Sequence, residues 1–215
     1  MRALLALFLV LAAAAPALAE IRNEVTTGGY TRAMRASSAN AVTSDSLGGG
    51  TFGYARRLDL GLLPRLQTWV TGNYTYGTAA GTMFSTLTTE IDTMTFTAGG
   101  RARYALLDHV VLGARVDLGT AYASLKLAEG NRALTDSGWG GTTTVATSVD
   151  LFAHTGESWN LGVRLELGYT LTSAIELAPA EANDSSTIQL EMSQASLGHL
   201  DVGGRFFSFA VLSQF

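Results

Sequence analysis

The sequence contains no cysteine, only three prolines and few charged residues, which make up 15% of the chain. Without cysteine the chain has no disulfide and no Cys-containing zinc or redox motif, so its stability must come from packing and backbone hydrogen bonds. It also lacks a basic excess, because 14 Lys and Arg stand against 18 Asp and Glu, for a formal net charge of -4. This balance argues against nucleic acid as a partner, since that interface needs a basic patch.

Long apolar runs are also absent, except at the N-terminus. Arg2 precedes an apolar run over residues 3–15, and Ala17-Leu18-Ala19 has the small-x-small form that signal peptidase accepts. We therefore expect residues 1–19 to be a cleaved secretory signal peptide. The alternative is an N-terminal membrane anchor, but a spanning helix needs about 20 apolar residues and Pro16 interrupts this run.

What the sequence does have is alternation. From Trp159 to Leu171 every odd position is apolar, and the even positions carry Asn, Gly, Arg, Glu and Thr. Successive side chains of a strand point to opposite faces, so one face of this segment is apolar and the other polar. About 9–11 tilted residues cross a bilayer as a strand. The pattern predicts a membrane-spanning strand whose polar face lines a closed barrel, since no open sheet edge survives in hydrocarbon.

Similar segments recur along residues 20–215, which we expect to form one domain. The predicted strands are 25–35, 51–62, 65–76, 93–106, 110–124, 142–153, 159–171 and about 197–215. Long connections at 36–50, 77–90, 126–141 and 172–196 alternate strictly with short ones. Outer-membrane barrels have this rhythm because their periplasmic turns are short and their external loops long. The sequence therefore predicts an all-β, eight-stranded antiparallel up-and-down transmembrane β-barrel.

Aromatic residues on the predicted lipid face support an outer-membrane location. With both termini on the periplasmic side, six of them fall at the outer ends of their strands: Phe52, Tyr54, Tyr74, Tyr76, Tyr122 and Tyr169. Tyr104 and Trp159 fall at the inner ends. Two girdles are what anchoring at the two membrane interfaces predicts, with outer-membrane lipids as the surrounding partner.

The C-terminal segment alternates apolar residues before a closing aromatic. The positions that fit are Phe207, Phe209, Val211 and Phe215. With this terminus and its eight strands, the chain resembles the small eight-stranded outer-membrane barrels of the OmpA and OmpX type. The resemblance implies that the closing Phe is a signal for the outer-membrane assembly machinery; Ser213 departs from the pattern. Leu200 and Val202 have the opposite parity from Phe207, which predicts a bulge near Gly203.

The predicted inward face carries opposite charges two positions apart. These pairs are Arg57 with Asp59, Arg115 with Asp117, and Arg164 with Glu166, joined by Arg65, Arg101, Arg103, Asp150, Arg205 and Asp201. Eight strands enclose an interior just wide enough for side chains to fill, so we expect a packed ionic plug. The alternative is a narrow water-filled pore. The plug is favoured because an unpaired charge in so narrow a barrel costs several kcal/mol.

Other functions have weaker support. A lipid-modifying enzyme needs a nucleophile and a base, and Ser196 with His199 near Glu191 is the best candidate, whereas His109 and His154 belong to short turns. The acidic connection could bind a divalent cation, but it lacks a recognised calcium-loop order. A soluble secreted barrel for a small apolar ligand is the last alternative. We expect a monomeric, non-enzymatic barrel without cofactor or metal, either structural or displaying four loops to an extracellular partner.

Overall fold

A computed structural model describes residues 21–35, 46–58, 60, 65–83, 87–129, 132–179 and 198–215. The strands are β1 (Asn23–Met34), β2 (Ser46–Leu58), β3 (Leu66–Met83), β4 (Leu87–Leu107), β5 (Val110–Glu129), β6 (Arg132–Thr155), β7 (Asn160–Thr172), β8 (Ile175–Glu176), β9 (Ala178–Pro179), β10 (His199–Leu200) and β11 (Gly204–Gln214). No helix within these ranges is long and apolar enough to cross a membrane.

Eight of the strands form a closed antiparallel ring. Their order is β5-β4-β3-β2-β1-β11-β7-β6, and β5 pairs with β6 to close it. The register of the strands is staggered around the ring. Stepping from Met34 of β1 to its paired residue on β11, and on from strand to strand around the barrel, leads back to β1 at Glu24, ten residues before Met34. This stagger tilts the strands by about 40° to the barrel axis. The ring confirms the predicted eight-stranded antiparallel up-and-down barrel.

The alternating sequence sets which side chains lie inside. In β11 every second residue is buried, with Phe206, Ser208 and Ala210 inside, while Phe207 and Phe209 are exposed. Exposed large apolar side chains, such as Val116 and Leu167, cover the outer wall on seven of the eight barrel strands. The exposed residues of β1 are small, among them Thr27, Thr31 and Ala33. We call the end that holds Asn23 and Gln214 the terminal end and the opposite one the distal end. β1 begins and β11 ends at the terminal end, where Asn23 and Phe215 exchange backbone hydrogen bonds.

An apolar cluster, which we call the distal core, fills the distal end of the barrel. Its buried members are Met34, Leu47, Ala79, Ile91, Ala121, Ala123, Leu125, Ile175, Leu177, Leu200 and Val202. The last four come from the chain between β7 and β11. There β8 pairs with β10 and β9 pairs with β6, so this segment is attached to the barrel by backbone hydrogen bonds. The distal end is therefore closed by apolar packing.

The predicted rhythm of long and short connections was wrong in part. The loops predicted at 77–90 and 126–141 are mostly strand, because β3 runs to Met83, β4 starts at Leu87, β5 runs to Glu129 and β6 starts at Arg132. These segments are rich in Thr, Ala, Ser and Gly, which led to the loop prediction. Ala79 of the first segment is instead buried in the distal core, and Leu127 of the second segment packs against that core.

Two other strand ends also differ from the prediction. β2 begins at Ser46 instead of residue 51, because Leu47 is fully buried in the distal core. The last strand begins at Gly204 instead of residue 197. Leu200 and Val202 belong to the distal core, which explains their opposite parity without the bulge predicted near Gly203. The register shifts lie elsewhere, between Ala105 and Leu107 and between Phe152 and His154.

Candidate functional site

The terminal half of the interior holds a cluster of buried charges built around Glu24. Its side chain is 1% exposed and accepts hydrogen bonds from Arg101 Nη1 and Arg103 Nη1, both at 2.9 Å. Arg164 Nη1 and Nη2 donate to the same carboxylate at 2.7 and 3.1 Å. Gln214 Nε2 completes the set at 2.8 Å. Glu24 on β1 thereby connects β4, β7 and β11 through the interior.

Asp150 on β6 extends this cluster. It accepts from Arg164 Nε at 2.6 Å and Nη2 at 2.8 Å, and it forms a salt bridge with Arg103 Nη2 at 2.8 Å. The Arg103 guanidinium also stacks over the rings of Trp69 and Phe152, at 5.2 and 5.7 Å from their centroids. Two aromatic rings therefore contact this cation near the terminal end.

A second group of charges lies next to the first on the distal side. Arg115 donates from Nε and Nη2 to Glu166 at 2.9 and 2.7 Å, and its Nη1 pairs with Asp117. Asp117 also accepts from Thr71 Oγ1 at 2.6 Å and Asn73 Nδ2 at 3.1 Å. We call the two groups together the ionic cluster: Glu24, Arg101, Arg103, Arg115, Asp117, Asp150, Arg164 and Glu166. It contains four arginines and four carboxylates, so its formal charges cancel.

Between the ionic cluster and the distal core lies a polar cavity of about 30 Å³. Its wall includes Arg115 and Glu166 of the ionic cluster, hydroxyl side chains such as Thr97 and Ser208, and Arg32. Arg32 is 3% exposed and donates from Nη1 to the carbonyl oxygen of Val202 at 3.3 Å. The interior thus has three levels along the axis: charged, polar and apolar.

The structure brings most of the predicted lumen residues together. Arg101, Arg103, Arg115, Asp117, Asp150, Arg164 and Glu166 are all members of the ionic cluster. Arg57 lies on the inward face and is half-buried, whereas Arg65 is exposed in the turn before β3 with a φ of 67°. Asp201 lies in the distal segment and accepts from Thr172 Oγ1 at 2.5 Å. Asp59 lies outside the described residues.

The prediction that Arg205 points into the lumen was wrong. Arg205 is exposed on the outer face, and its neighbour Phe206 is buried against Tyr30 and Ala146 instead. β11 starts at Gly204 and continues without a bulge to Gln214, so its even-numbered residues face inward and Arg205 faces outward.

Sequence reasoning missed three interior residues: Glu24, Arg32 and Gln214. The predicted first strand began one residue after Glu24, although Glu24 has the same parity as Tyr30, Arg32 and Met34. If the predicted strand had begun one residue earlier, the same alternation would have placed Glu24 on the inward face. Gln214 has the same parity as the buried Leu212, but the interpretation of the terminus considered only the outward positions.

Most of the aromatic residues take the predicted positions on the outer wall. Tyr76, Tyr122 and Tyr169 lie towards the distal end, and Tyr104 and Trp159 lie at the terminal end. Tyr74 packs against Phe96 with ring centroids 5.0 Å apart. Phe52, next to Tyr74 in the ladder, lies near mid-wall, because β2 extends to Ser46.

The predicted position of Tyr54 at the outer girdle was wrong. It lies opposite Val25, near the terminal end, and its hydroxyl donates to Asn23 Oδ1 at 2.9 Å. The prediction set the start of β2 too late, which made Tyr54 look closer to the distal end than it is.

The predicted assembly residues Phe207, Phe209 and Val211 are exposed on the outer wall. Phe215 follows β11 and exchanges backbone hydrogen bonds with Asn23, at 2.8 and 2.9 Å. The residues of this group are therefore placed where another molecule can reach them.

All three histidines are exposed. His109 lies in the turn between β4 and β5 and His154 near the end of β6, and His199, the histidine proposed for chemistry, lies in β10 and is paired with Glu176. Ser196 and Glu191 lie outside the described residues. Within the ranges that the structure describes, no group of three or more His, Cys, Asp or Glu side chains could hold a metal ion.

Comparison with known proteins gives the fold. No protein-family model matches the sequence, and no curated protein matches it. The attachment invasion locus protein Ail of Yersinia pestis superposes with a TM-score of 0.53 at 11% identity, over 92% of this chain and 100% of Ail. Ail in complex with the heparin analogue sucrose octasulfate gives 0.52 at 10% identity, with the same coverage. The outer-membrane protease OmpT of Escherichia coli gives 0.47 at 11% identity, over 93% of this chain and 98% of OmpT. The chain has the fold of an eight-stranded outer-membrane β-barrel of the OmpX type.

Proposed function

We propose that this protein is a closed, monomeric barrel of the outer membrane that conducts no ions and presents its distal end to the exterior. The observation that carries the proposal is the filling of the interior at two levels. The ionic cluster occupies the terminal half with its charges cancelled, and the distal core seals the other end with apolar side chains. An ion following the axis would have to break buried ion pairs and then cross an apolar layer, and each step is costly.

The outer wall supports the membrane location. Val70, Leu118 and Leu167 are 49%, 64% and 62% exposed, and similar residues lie on seven of the eight barrel strands. A monomeric soluble protein rarely exposes an apolar surface of this extent. The ring leaves no unpaired strand edge among the eight barrel strands, so no second copy is required to complete the sheet. Residues 1–19 as an export signal and Phe215 as an assembly signal belong to the same proposal.

The distal end is the surface proposed for an extracellular partner. The β3–β4 and β5–β6 strand pairs extend beyond Tyr76 and Tyr122. The described residues between β7 and β11 contribute Ile175, Leu177, Leu200 and Val202 to the distal core. Residues 172–196 include Glu176, Glu181, Asp184 and Glu191 and no Lys or Arg. This charge favours a neutral or basic partner over an anionic ligand such as the heparin analogue bound to Ail.

Planar bilayer recording tests whether the barrel is closed. The full mature chain is refolded in detergent, and its folded state is verified by a gel shift on heating before it is added to the bilayer. We expect no reproducible current steps. Steady unitary currents from preparations with that gel shift would contradict the closed barrel and favour the pore.

A further inference from the structure

Arg32 is a buried cation without a carboxylate partner. Its side chain is 3% exposed, and its hydrogen-bond acceptor is a neutral backbone carbonyl, Val202 O. Its Nε has no hydrogen-bond partner among the described residues, and no described carboxylate forms a salt bridge with it. The ring of Tyr30 lies 5.4 Å from its guanidinium carbon and supplies the other polar contact. A buried charge in this state is costly unless a counter-charge is present.

The charges next to Arg32 cannot supply that counter-charge. Glu166 and Asp117 are engaged by Arg115, and Glu24 and Asp150 are each held by two or more arginines. Because the ionic cluster is neutral, the cavity wall carries one positive charge in excess, that of Arg32. The rest of the wall near this charge consists largely of hydroxyl groups, including Thr95, Thr97 and Ser208, which donate hydrogen bonds to anions as readily as to water.

We propose that this cavity is a binding site for one small inorganic monovalent anion of the halide class, held by Arg32 and the surrounding hydroxyl groups. The volume of about 30 Å³ accommodates an ion of that size. The bound anion neutralises Arg32 and links the polar level of the interior to the distal core through the contact between Arg32 and Val202. Its role is structural, since it stabilises the folded barrel.

Bromide is the probe, because it scatters anomalously. The full mature chain is refolded in sodium bromide, so that access to the closed interior is not limiting, and crystallised from it. We expect one anomalous peak within hydrogen-bonding reach of the Arg32 guanidinium. A cavity that contains only water, or a carboxylate of the chain inserted beside Arg32, would overturn the proposal.

Unfolding by urea gives the second measurement. We compare bromide with gluconate, a much larger anion, at equal ionic strength. A site with a Kd of about 10 mM raises the folding equilibrium constant about tenfold in about 100 mM bromide. Equal stability of the wild type in the two salts would contradict the site.

Variants of Arg32 and of Arg35, the residue that directly follows β1, identify the residue responsible. Arg32→Met keeps an unbranched apolar stem, although a shorter one, and removes the charge, so the bromide effect and the anomalous peak are lost, while Arg32→Lys retains both. Arg35→Met is the matched control, because Arg35 is exposed and contacts Tyr169 outside the cavity. If Arg35→Met abolishes the bromide effect as completely as Arg32→Met, the effect is not due to this cavity. If Arg32→Met fails to fold, the wild-type crystal and Arg32→Lys decide the question.

Discussion

Glu24 and Arg164 are 140 positions apart in the chain, and two hydrogen bonds of 2.7 and 3.1 Å join them inside the barrel. Glu24 lies on the first strand and also binds Arg101 and Arg103 on the opposite wall. One carboxylate therefore offsets parts of three guanidinium charges. Because all four side chains are almost fully buried, solvent cannot replace Glu24 when it is removed.

The first prediction concerns this carboxylate. Glu24→Gln keeps the shape and leaves the arginines with one negative charge too few. We expect the free energy of unfolding to fall by about 3–5 kcal/mol, the usual cost of breaking a buried ion pair from one side. Urea unfolding of the refolded protein in detergent or lipid, followed by the gel shift on heating, measures the loss.

Glu90→Gln is the matched control for that prediction. Glu90 pairs with Lys126 at 3.8 Å, and both side chains are about half exposed, at 46% and 49%. An exposed pair contributes about 0.2–1 kcal/mol, so the change in stability should lie within that range. Similar losses for both variants would mean that the interior is hydrated enough to screen its charges.

The distribution of charges inside the barrel could be predicted from the sequence, because side-chain parity in a strand depends only on local alternation. That reasoning placed Arg101, Arg103 and Arg164 correctly, without knowledge of which strands are neighbours. It could not reveal that Glu24 is the centre of the cluster, since partners 140 positions apart are set by the stagger of the closed ring. The same reasoning failed for Arg205. β11 begins only at Gly204, so the apolar residues before it are not part of the strand and indicated the wrong face for Arg205.

The strand ends were the least predictable part of the fold. Loops and the distal ends of strands have similar compositions here, with Thr, Gly, Ala and Ser in both. What decides the outcome is the distal core, in which Leu125 and Ala123 are buried together with Ile175 and Leu200 from the chain between β7 and β11. Such a contact between distant segments leaves no periodic signal in either one. The hairpins were therefore predicted as loops.

A glycine provides the second prediction. Gly99 faces inward opposite Asp117, and a Cβ atom there would overlap the Val116 carbonyl oxygen and Asp117 Oδ1. Gly99→Ala should therefore separate β4 from β5 locally and lower stability by about 1–3 kcal/mol. Gly72→Ala is the control, because Gly72 is exposed and a Cβ there meets nothing within 4 Å. It should be neutral or raise stability by up to about 1 kcal/mol. Equal urea midpoints for the two variants would contradict the close approach at Gly99.

The third prediction concerns the distal core. Ile175 is fully buried, and its Cγ1 would lie 2.8 Å from a Cβ at Gly140, which shows how closely β8 packs on β6. Ile175→Ala removes buried methyl groups at a cost of about 2–5 kcal/mol. We expect the amides of Leu177 and Leu200 to exchange with deuterium at least about thirtyfold faster, the factor that corresponds to 2 kcal/mol.

Leu171→Ala is the control for the distal core. Leu171 is 56% exposed on the outer wall of β7, so its truncation leaves the packing inside the barrel unchanged. Amide exchange in β8 and β10, measured by mass spectrometry, should match the wild type in this variant. Unchanged exchange in Ile175→Ala would show that the distal segment is held by its backbone pairing and not by apolar packing.

The fourth prediction tests which face of the barrel meets lipid, using tryptophan fluorescence. Trp69 is 2% exposed in the interior, whereas Trp159 is 41% exposed at the terminal end and its Nε1 donates to Ser213 Oγ at 2.8 Å. We compare a protein that retains only Trp159 (Trp69→Phe with Trp139→Phe) with one that retains only Trp69 (Trp139→Phe with Trp159→Phe), each in vesicles of brominated phospholipid.

Interfacial aromatic residues lie at headgroup depth, so bromines near the headgroups should quench Trp159 more than bromines deep in the acyl chains. Trp69 should be quenched much more weakly by both lipids, because the barrel wall separates it from them. Equal, weak quenching of the two tryptophans would mean that the apolar wall does not contact acyl chains, and the proposed membrane location would then have to be abandoned.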